Sequence, residues 1–367
     1  MTMKKLLSLG MAMVLSTSAL MGCAAKPQTS APAPAAQSKD AQAEKASENT
    51  SSAFDKQRVR VVIGSTSTSG DSYMVADTVT RFLSKELNFN GKVDAVGAGA
   101  ALDAIKGGKG DGSTIMIFHD MTYLGVAFGA YDEAYALENM VIGPRVGINP
   151  GAAFAAAEKA PYNDMKEIAE YLKANPDQKV RVAVEAGGVS HISFISYYEW
   201  VKEEYGEDVA SRVVVIVGGS TADKCQMLWD GNADVIFADY SSLKQYTEDG
   251  VDAQLKMKFT ALLDEIEGVD IPTYAEQGIK LYGEPFAFSK DFLMYLPKDT
   301  PQAIVDELDA AMAKVSADPE FIEEMKKLTY AAGYLPSGEA SAYIMKKRDS
   351  LTQLINEAPP LDDLTVQ

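Results

Sequence analysis

Apolar and polar positions near the start of the globular region predict a strand, a loop and a helix. Residues 59–63, Val-Arg-Val-Val-Ile, are nearly all β-branched, which is typical of a buried strand. Residues 64–70 are all small, and all except the two glycines carry hydroxyl groups. From about Ser72 onward, apolar side chains recur at helical spacing, at Val75, Val79, Phe82, Leu83 and Leu87.

This stretch has the features of an anion-binding loop. A strand that leads through a hydroxyl-rich loop into a helix N-terminus presents backbone N–H groups and side-chain donors to one point. Such an arrangement holds an anion without a cationic side chain. An ordinary turn between a strand and a helix is the alternative interpretation, and this stretch alone favours neither.

The same order of strand, loop and helix recurs along the chain. Further strands are predicted at residues 92–96, 113–118, 180–184, 213–217, 235–237 and 259–263. Alternating strands and helices predict an α/β fold with mostly parallel sheets, whose ligand crevice lies at the carboxyl ends of the strands. The repeats from 180 to 237 indicate a second lobe. The C-terminal part is predicted to be helical, with one helix from Pro319 to about Gly333.

The N-terminus carries a secretion signal. Lys4 and Lys5 precede an apolar run that ends in Leu-Met-Gly-Cys at Cys23, and these four residues resemble a bacterial lipobox. We therefore expect residues 1–22 to be a lipoprotein signal peptide and Cys23 to be lipidated. A plain signal peptide with an incidental cysteine is the alternative. Residues 23–56 then form the lipidated end and a disordered tether, because residues 24–54 contain almost nothing to bury.

Composition narrows the functional classes. The 367 residues leave room for two domains, and the formal charge of −18 argues against nucleic acid as a partner. Cys225 has no second cysteine once Cys23 is lipidated, so no internal disulfide is expected. Two histidines in separate segments make a zinc site improbable, and no metal or other cofactor is expected. Ser190 lacks the Gly-x-Ser-x-Gly context of a hydrolase nucleophile.

The sequence resembles a known family, most strongly in its C-terminal third. The matching elements are Val269-Asp270-Ile271-Pro272-Thr273 with Glu276 and Gly278, Leu296-Pro297-Lys298-Asp299-Thr300-Pro301, Asp318-Pro319-Glu320, Gly333, and upstream Gly97-Ala98-Gly99 and Asp111-Gly112-Ser113-Thr114. In their order and spacing they resemble the solute-binding receptors of tripartite tricarboxylate transporters, the Bug type. The first loop departs from that family, because Tyr73 and Asp77 occupy the positions where relatives have Asp and Arg. This loop also resembles the first loop of the TAXI-type receptors of TRAP transporters, which are the alternative family.

The resemblance implies a bilobal periplasmic-binding-protein fold of type II, with two doubly wound lobes and a hinge, that closes over a small carboxylate. The first lobe is expected to comprise residues 57–145 plus 260–367, and the second residues 146–259. The predicted ligand-binding residues are Ser67, Thr68, Ser69, Gly70, Asp71, Ser72, Tyr73, His119, Gly187, Gly188, Ser190, His191, Gly219 and Asp239. For Asp71 the alternative is a helix cap, and for each histidine it is a purely structural role.

The implied function is that of a receptor and not of an enzyme. We expect a monomer, anchored by lipid on the extracytoplasmic side of the membrane, that delivers a small di- or tricarboxylate or another carboxylate to the membrane subunits of a transporter. A sensory receptor and an extracytoplasmic enzyme on the same scaffold are the competing classes. The sequence does not identify the ligand.

Overall fold

Residues 52–68 and 70–365 are described in the computed structural model of the chain. The predicted signal peptide, Cys23 and the tether up to residue 51 lie outside these ranges, as does Ser69 of the first predicted ligand loop. Within the described ranges, no helix is long and apolar enough to cross a lipid bilayer. Cys225 is buried and has no disulfide partner there.

The described residues form strands and helices throughout. The strands are β1 (Arg58–Ile63), β2 (Asn90–Ala95), β3 (Thr114–Phe118), β4 (Val141–Asn149), β5 (Ala152–Ala157), β6 (Val180–Val184), β7 (Val213–Val217), β8 (Val235–Asp239), β9 (Met257–Leu262), β10 (Lys280–Leu281), β11 (Glu284–Pro285) and β12 (Lys290–Leu296). The α-helices are α1 (Asp71–Leu87), α2 (Ala98–Lys106), α3 (Met121–Ala127), α4 (Met165–Ala174), α5 (Val189–Tyr205), α6 (Glu207–Ala210), α7 (Thr221–Trp229), α8 (Tyr240–Leu243), α9 (Gln302–Ser316), α10 (Pro319–Lys327) and α11 (Ser337–Glu357).

Two five-stranded sheets organise these elements. The first has the strand order β2-β1-β3-β12-β4, and the second has the order β7-β6-β8-β5-β9. In each sheet one strand, β12 or β5, runs antiparallel to both of its neighbours. The sheets are otherwise parallel, which confirms the predicted α/β class. We call each sheet with the helices packed on it a lobe.

Local composition explains most of the strands. Valine and isoleucine make up four of the six residues of β1, three of the five of β6 and all five of β7, and their branched side chains suit a pleated surface that is covered by helices. Strand β5 has the sequence Ala-Ala-Phe-Ala-Ala-Ala and is almost wholly buried. Alanine has little preference for strands, so the pattern of the sequence did not reveal β5.

The chain crosses between the sheets more than once. It leaves the first sheet after β4 and enters the second at β5, through Pro150 and Gly151. It returns between β9 and β12, and Thr365 then forms a β-bridge with Val215 of the second sheet. The lobe limits predicted at 145 and 260 fall inside β4 and β9, so each sheet extends a few residues beyond its predicted range.

The segment after α10 differs from the prediction. The predicted helix from Pro319 to about Gly333 ends at Lys327, because Thr329 adopts a left-handed backbone conformation with φ of 63°. Beyond it, Ala331 exchanges backbone hydrogen bonds with Ile148 of β4. These residues therefore extend the edge of the first sheet instead of continuing the helix.

A buried cluster of charges fixes α11 on the first sheet. Lys347 Nζ lies 2.5 Å from Asp120 Oδ1 and 2.6 Å from Asp291 Oδ2. Arg145 Nη1 lies 2.7 Å from the other carboxylate oxygen of Asp291, so two acids face two bases. Burial by itself would lower the pKa of Lys347, but the attraction of Asp120 and Asp291 outweighs burial and raises it.

Candidate functional site

The loop after β1 comes close to the neighbouring strand β3. Gly64 lies against the ring of Phe118, and a Cβ atom at Gly64 would lie 2.1 Å from that ring. Only glycine fits there without displacing the ring. Ser67 and Thr68, which follow in the loop, have exposed side chains. The structure therefore places this hydroxyl-rich segment at the carboxyl edge of the first sheet, as predicted from the sequence.

The loop enters α1 without a side-chain cap. Gly70 is the N-cap residue and has extended backbone geometry. The Asp71 carboxylate accepts a hydrogen bond of 2.7 Å from the N–H of Ser72, so it uses one donor of the first turn. Tyr73 is half-buried and packs against the core of the lobe. The remaining donors of a helix N-terminus are available to a ligand.

The loop after β6 is braced by two of the predicted ligand-binding side chains. Gly187 has φ of 77°, and its N–H donates a hydrogen bond of 3.1 Å to His191 Nδ1. The hydroxyl of Ser190 accepts a hydrogen bond from Glu185 N–H at 2.8 Å and donates one to Glu185 O at 3.1 Å. Helix α5 then starts after Gly188 with no side-chain cap. Ser190 and His191 therefore hold the loop in shape and leave the N-terminus of α5 uncapped.

The tautomer of His191 follows from this loop. Because Nδ1 accepts a hydrogen bond from the N–H of Gly187, the neutral ring carries its own proton on Nε2. That Nε2 atom is buried and has no hydrogen-bond partner among the described residues. Burial lowers the pKa of His191 to about 4, so the ring is neutral at pH 7. Its plane stacks on Phe128, with ring centroids 4.2 Å apart, and Phe128 follows α3 of the first lobe.

Three charged side chains connect the two lobes. Lys290, the first residue of β12, places its Nζ 2.5 Å from Asp71 Oδ2 and 2.8 Å from Asp239 Oδ1. Asp71 begins α1 in the first lobe, and Asp239 ends β8 in the second. Their side chains are 8, 17 and 22% exposed for Lys290, Asp71 and Asp239. We call these three residues the ion triad.

The three members of the ion triad titrate differently. Burial works against the charged form of Asp71, but the attraction of Lys290 and of nearby groups outweighs it and lowers the pKa of Asp71. Burial dominates at Asp239 and raises its pKa. Burial also opposes the charge on Lys290, whose pKa is nevertheless raised by the attraction of Asp239 and Asp71. The single ammonium of Lys290 thus pairs with both carboxylates. It stabilises the charged form of Asp239 less than the charged form of Asp71.

Asn149 ties the ion triad to the first crossover. Its Nδ2 donates a hydrogen bond of 3.2 Å to Asp239 Oδ1, and its Oδ1 accepts one of 2.8 Å from Gly151 N–H. Asn149 is 1% exposed, so both polar atoms of its side-chain amide form these bonds inside the protein. The chain direction at the crossover and the position of the Asp239 carboxylate are therefore set by the same side chain.

The other predicted site residues have varied surroundings. His119 follows β3, packs its ring between Phe118 and Phe292, and accepts a hydrogen bond of 3.3 Å from Met121 N–H. Burial lowers the pKa of His119 to about 4, so it too is neutral. Gly219 lies in the exposed loop before α7, whose cap is Ser220.

The cations beside these loops were not predicted from the sequence. Both predicted ligand loops lack lysine and arginine, yet Lys290 reaches the first loop from more than 200 residues away in the sequence. Lys224, which is 2% exposed, likewise pairs with Glu185 at 3.1 Å beside the second loop. A signal was present at Lys290, because two charges, Lys290 and Asp291, open an otherwise apolar run to Leu296.

Two sheets with loop-bearing carboxyl edges, joined by crossovers and by an ionic contact, give the chain the two-lobed architecture of a periplasmic binding protein. The family model for the tripartite tricarboxylate transporter family receptor matches residues 75–358. The chain therefore belongs to that family, as the sequence motifs indicated. A comparison with curated proteins gave no match.

Solved structures share this fold at low sequence identity. A TctC solute binding protein from Polaromonas, solved without ligand, is 20% identical with a TM-score of 0.60, over 82% of this chain and 98% of that one. The periplasmic binding protein BugD is 21% identical with a TM-score of 0.62, over 83% and 98%. MatC from Rhodopseudomonas palustris, with bound malate, is 19% identical with a TM-score of 0.62, over 81% and 99%. These matches confirm the periplasmic-binding-protein fold.

Proposed function

We propose that the protein captures a small carboxylate between its two lobes and delivers it to a membrane transporter. The observation that carries this proposal is the pair of loops after β1 and β6. Each leads from a strand end into a helix of 17 residues that has no side-chain cap. Two uncapped helix N-termini, one in each lobe, provide backbone donors for an anion on both sides of a cleft.

The binding mechanism we propose uses mainly hydrogen bonds from N–H and hydroxyl groups. In the first loop the proposed donors are the hydroxyls of Ser67, Thr68 and Ser69, together with the N–H groups that lead into α1. In the second loop they are the N–H groups of Gly188 and the first turn of α5, while Ser190 keeps the loop in shape. Hydrogen bonds to a charged group stabilise a complex by roughly 1.5–3 kcal/mol each.

Relatives with this fold support a carboxylate as the ligand class. MatC was solved with malate, and another Rhodopseudomonas palustris protein, 16% identical with a TM-score of 0.64, was solved with adipate. The departures of the first loop at Tyr73 and Asp77 leave the particular carboxylate open. Titration calorimetry with a panel of mono-, di- and tricarboxylates and neutral sugars tests the class. We expect a carboxylate to bind with a micromolar or lower Kd; tight binding of a sugar and of no carboxylate would refute the proposal.

We further infer that the two lobes move relative to each other about the crossovers at residues 149–152 and 263–290, and that the protein acts as a monomer. Ligand contacts to both lobes stabilise the closed form and shift the population toward it. Small-angle scattering at several protein concentrations tests both points. A smaller radius of gyration with ligand and a monomeric mass are expected, and an unchanged radius at saturation contradicts the hinge.

The location we propose is the extracytoplasmic face of the membrane, with lipid on Cys23. Two or more acyl chains anchor a protein stably, whereas one chain gives only marginal binding. Replacing Cys23 by serine should move the protein from the membrane fraction to the soluble fraction.

Delivery to a transporter is tested separately, by measuring uptake of the radiolabelled ligand in cells with and without the receptor. Uptake that is unchanged without the receptor would contradict delivery.

A further inference from the structure

We propose that a groove beside α5 is the docking site for a basic segment of the membrane protein that receives the ligand. The groove is a cavity of about 370 Å³ between α5, the end of α11 and the hairpin of β10 and β11. Acidic and apolar side chains line it, among them Glu199, Trp200, Glu203, Leu281, Tyr282 and Glu357, and we call it the α5 groove. The inference rests on the proposed function, since the partner is the transporter to which the ligand is delivered.

The α5 groove is separate from the ligand loops. Glu199 follows Val189, the first residue of α5, by ten positions, which corresponds to about 15 Å along a helix. The ligand loop lies at the start of α5, whereas the groove lies against its second half. A contact at the groove can therefore be tested without changing a side chain at the proposed ligand site.

The charge of the α5 groove favours a cationic partner. Its lining includes three carboxylates and two ammonium groups, those of Glu199, Glu203, Glu357, Lys202 and Lys280. Lys202 pairs at 3.3 Å with Glu207, which is not part of this lining. Lys280 is thus left to balance three carboxylates. Charge complementarity predicts a partner segment that carries lysine or arginine.

Two buried groups on the lining residues lack partners. Trp200 is 4% exposed, and its Nε1–H has no hydrogen-bond acceptor among the described residues. The neighbouring Glu199 Oε1 is also buried and accepts no hydrogen bond there. Burial raises the pKa of Glu199, and the nearby Glu207 and Glu357 raise it further. A polypeptide segment offers both missing partners, because its backbone carbonyl accepts from an indole and its cationic side chain donates to a carboxylate.

Tyr282 gives the α5 groove an exposed ring that the hairpin itself does not require. It is 52% exposed and has φ of 53°, and Gly283 beside it has φ of 81°. A two-residue turn with two positive φ angles favours Asn-Gly, because a bulky side chain is strained there. The Tyr282 hydroxyl donates a hydrogen bond of 2.6 Å to Glu357 Oε2, which holds the ring at the groove. Tyrosine and tryptophan are enriched among the residues that dominate protein–protein binding.

Parts of both lobes line the α5 groove. Glu199 and Trp200 belong to α5, which follows β6 of the second sheet. Leu354 and Glu357 lie at the end of α11, which Lys347 fixes on the first sheet. The shape of the groove therefore depends on the relative position of the lobes, and a partner that fits one arrangement binds that form preferentially. The membrane protein thereby distinguishes the ligand-bound receptor from the free one.

Two variants separate docking from folding and from ligand binding. Tyr282→Asn gives the hairpin the favoured Asn-Gly turn and removes the ring, and Glu203→Lys reverses an exposed charge of the groove. Both should keep the wild-type denaturation midpoint and ligand Kd, yet lower uptake of the radiolabelled ligand by at least about five-fold. The matched control is Glu248→Lys, which changes an exposed glutamate outside the groove and should leave uptake unchanged.

Uptake is measured in cells that express the membrane subunits together with the full receptor, at matched receptor levels. The inference is overturned if either variant supports wild-type uptake, or if Glu248→Lys loses as much as Glu203→Lys. It is also overturned if the loss is matched by weaker ligand binding or lower stability. If the wild-type receptor itself does not raise uptake, the proposed delivery is wrong and the docking site is refuted with it.

Direct binding to membranes gives a second readout. The soluble Cys23→Ser form, saturated with the tightest-binding carboxylate, is mixed with vesicles that contain the membrane subunits and with vesicles that lack them. We expect binding only to the vesicles with subunits, weakened by added salt, because opposite charges hold the groove and its partner together. Equal binding to both kinds of vesicle would identify a lipid surface as the occupant and overturn the proposal, as would binding that salt does not weaken.

Discussion

Lys290 Nζ lies 2.8 Å from Asp239 Oδ1 and thereby joins the first residue of β12 in one sheet to the last residue of β8 in the other. The same ammonium holds Asp71 at the start of α1. One lysine at the start of β12 therefore connects the first residue of α1 with the second lobe. Removing the Lys290 ammonium should therefore lower the stability of the protein and weaken the contact between the two lobes.

Replacing Lys290 by methionine should destabilise the protein by about 3 kcal/mol, because two largely buried carboxylates lose their cation. Urea denaturation at pH 7.5 measures this change. The loss should shrink as the pH falls toward 4, since the uncompensated aspartates of the variant then become protonated.

The matched control for this variant is Lys326→Met. Lys326 pairs with Glu267 at 2.9 Å, but the two side chains are 56 and 83% exposed. An exposed ion pair contributes about 0–1 kcal/mol, so this variant should be nearly as stable as the wild type. Equal effects of the two substitutions would contradict a special role for the ion triad.

A neighbouring pair of lysines on α11 offers an internally controlled prediction. Lys347→Met should cost about 3–5 kcal/mol, because it leaves Asp120 and Asp291 buried with one cation fewer. Lys346 is exposed, and Lys346→Met should change stability by less than about 0.5 kcal/mol. Denaturation midpoints of both variants decide the matter, and similar midpoints would show that the buried cluster does not hold α11.

The pH dependence of stability should reveal the neutral state of His191. Its pKa is lowered from 6.5 to about 4 in the folded protein by burial, so the unfolded chain binds its proton first. The free energy of unfolding should therefore fall as the pH is lowered from 6.5 to 4, by up to about 3 kcal/mol for this residue. Above pH 6.5 the ring is neutral in both the folded and the unfolded chain, so this residue no longer makes the free energy of unfolding depend on pH.

Comparison with His191→Gln isolates this contribution, because His119 titrates over the same range and remains in both proteins. The stability difference between wild type and variant should be largest near neutral pH and should narrow toward pH 4. A difference that does not change with pH would contradict the assignment of a buried neutral ring.

Gly187 and Gly188 should respond differently to substitution. Gly187 has a left-handed φ of 77°, so Gly187→Val forces a β-branched residue into a strained conformation, costing about 1–3 kcal/mol. At Gly188 an added Cβ would meet only the flexible side chain of Met121, at 3.3 Å. Gly188→Ala should therefore be mild in thermal denaturation and in ligand affinity, and the reverse order would contradict this loop geometry.

Much of the fold was predictable because its strands are strongly β-branched. The runs at Val59, Val180 and Val213 begin strands at or next to their predicted positions. Strand β5 was not predictable, since five of its six residues are alanines. Its assignment depends on tertiary pairing with β8 and β9, which a local pattern does not contain.

The site was predictable only where it is local. The loops after β1 and β6 follow from composition, because small residues between a strand and a helix are visible in the sequence. The ion triad is not visible, since Lys290 meets Asp71 across 219 positions of the chain. Ser190 shows the opposite limit, because its hydroxyl looked available for a ligand and instead bonds Glu185.

The most direct test of this account is a crystal structure of the protein with the tightest carboxylate found by titration. We expect the ligand to lie between the lobes, with carboxylate oxygens within hydrogen-bonding distance of the N–H groups that begin α1 and α5. A ligand gripped by arginine side chains, or one bound away from the loops after β1 and β6, would contradict it.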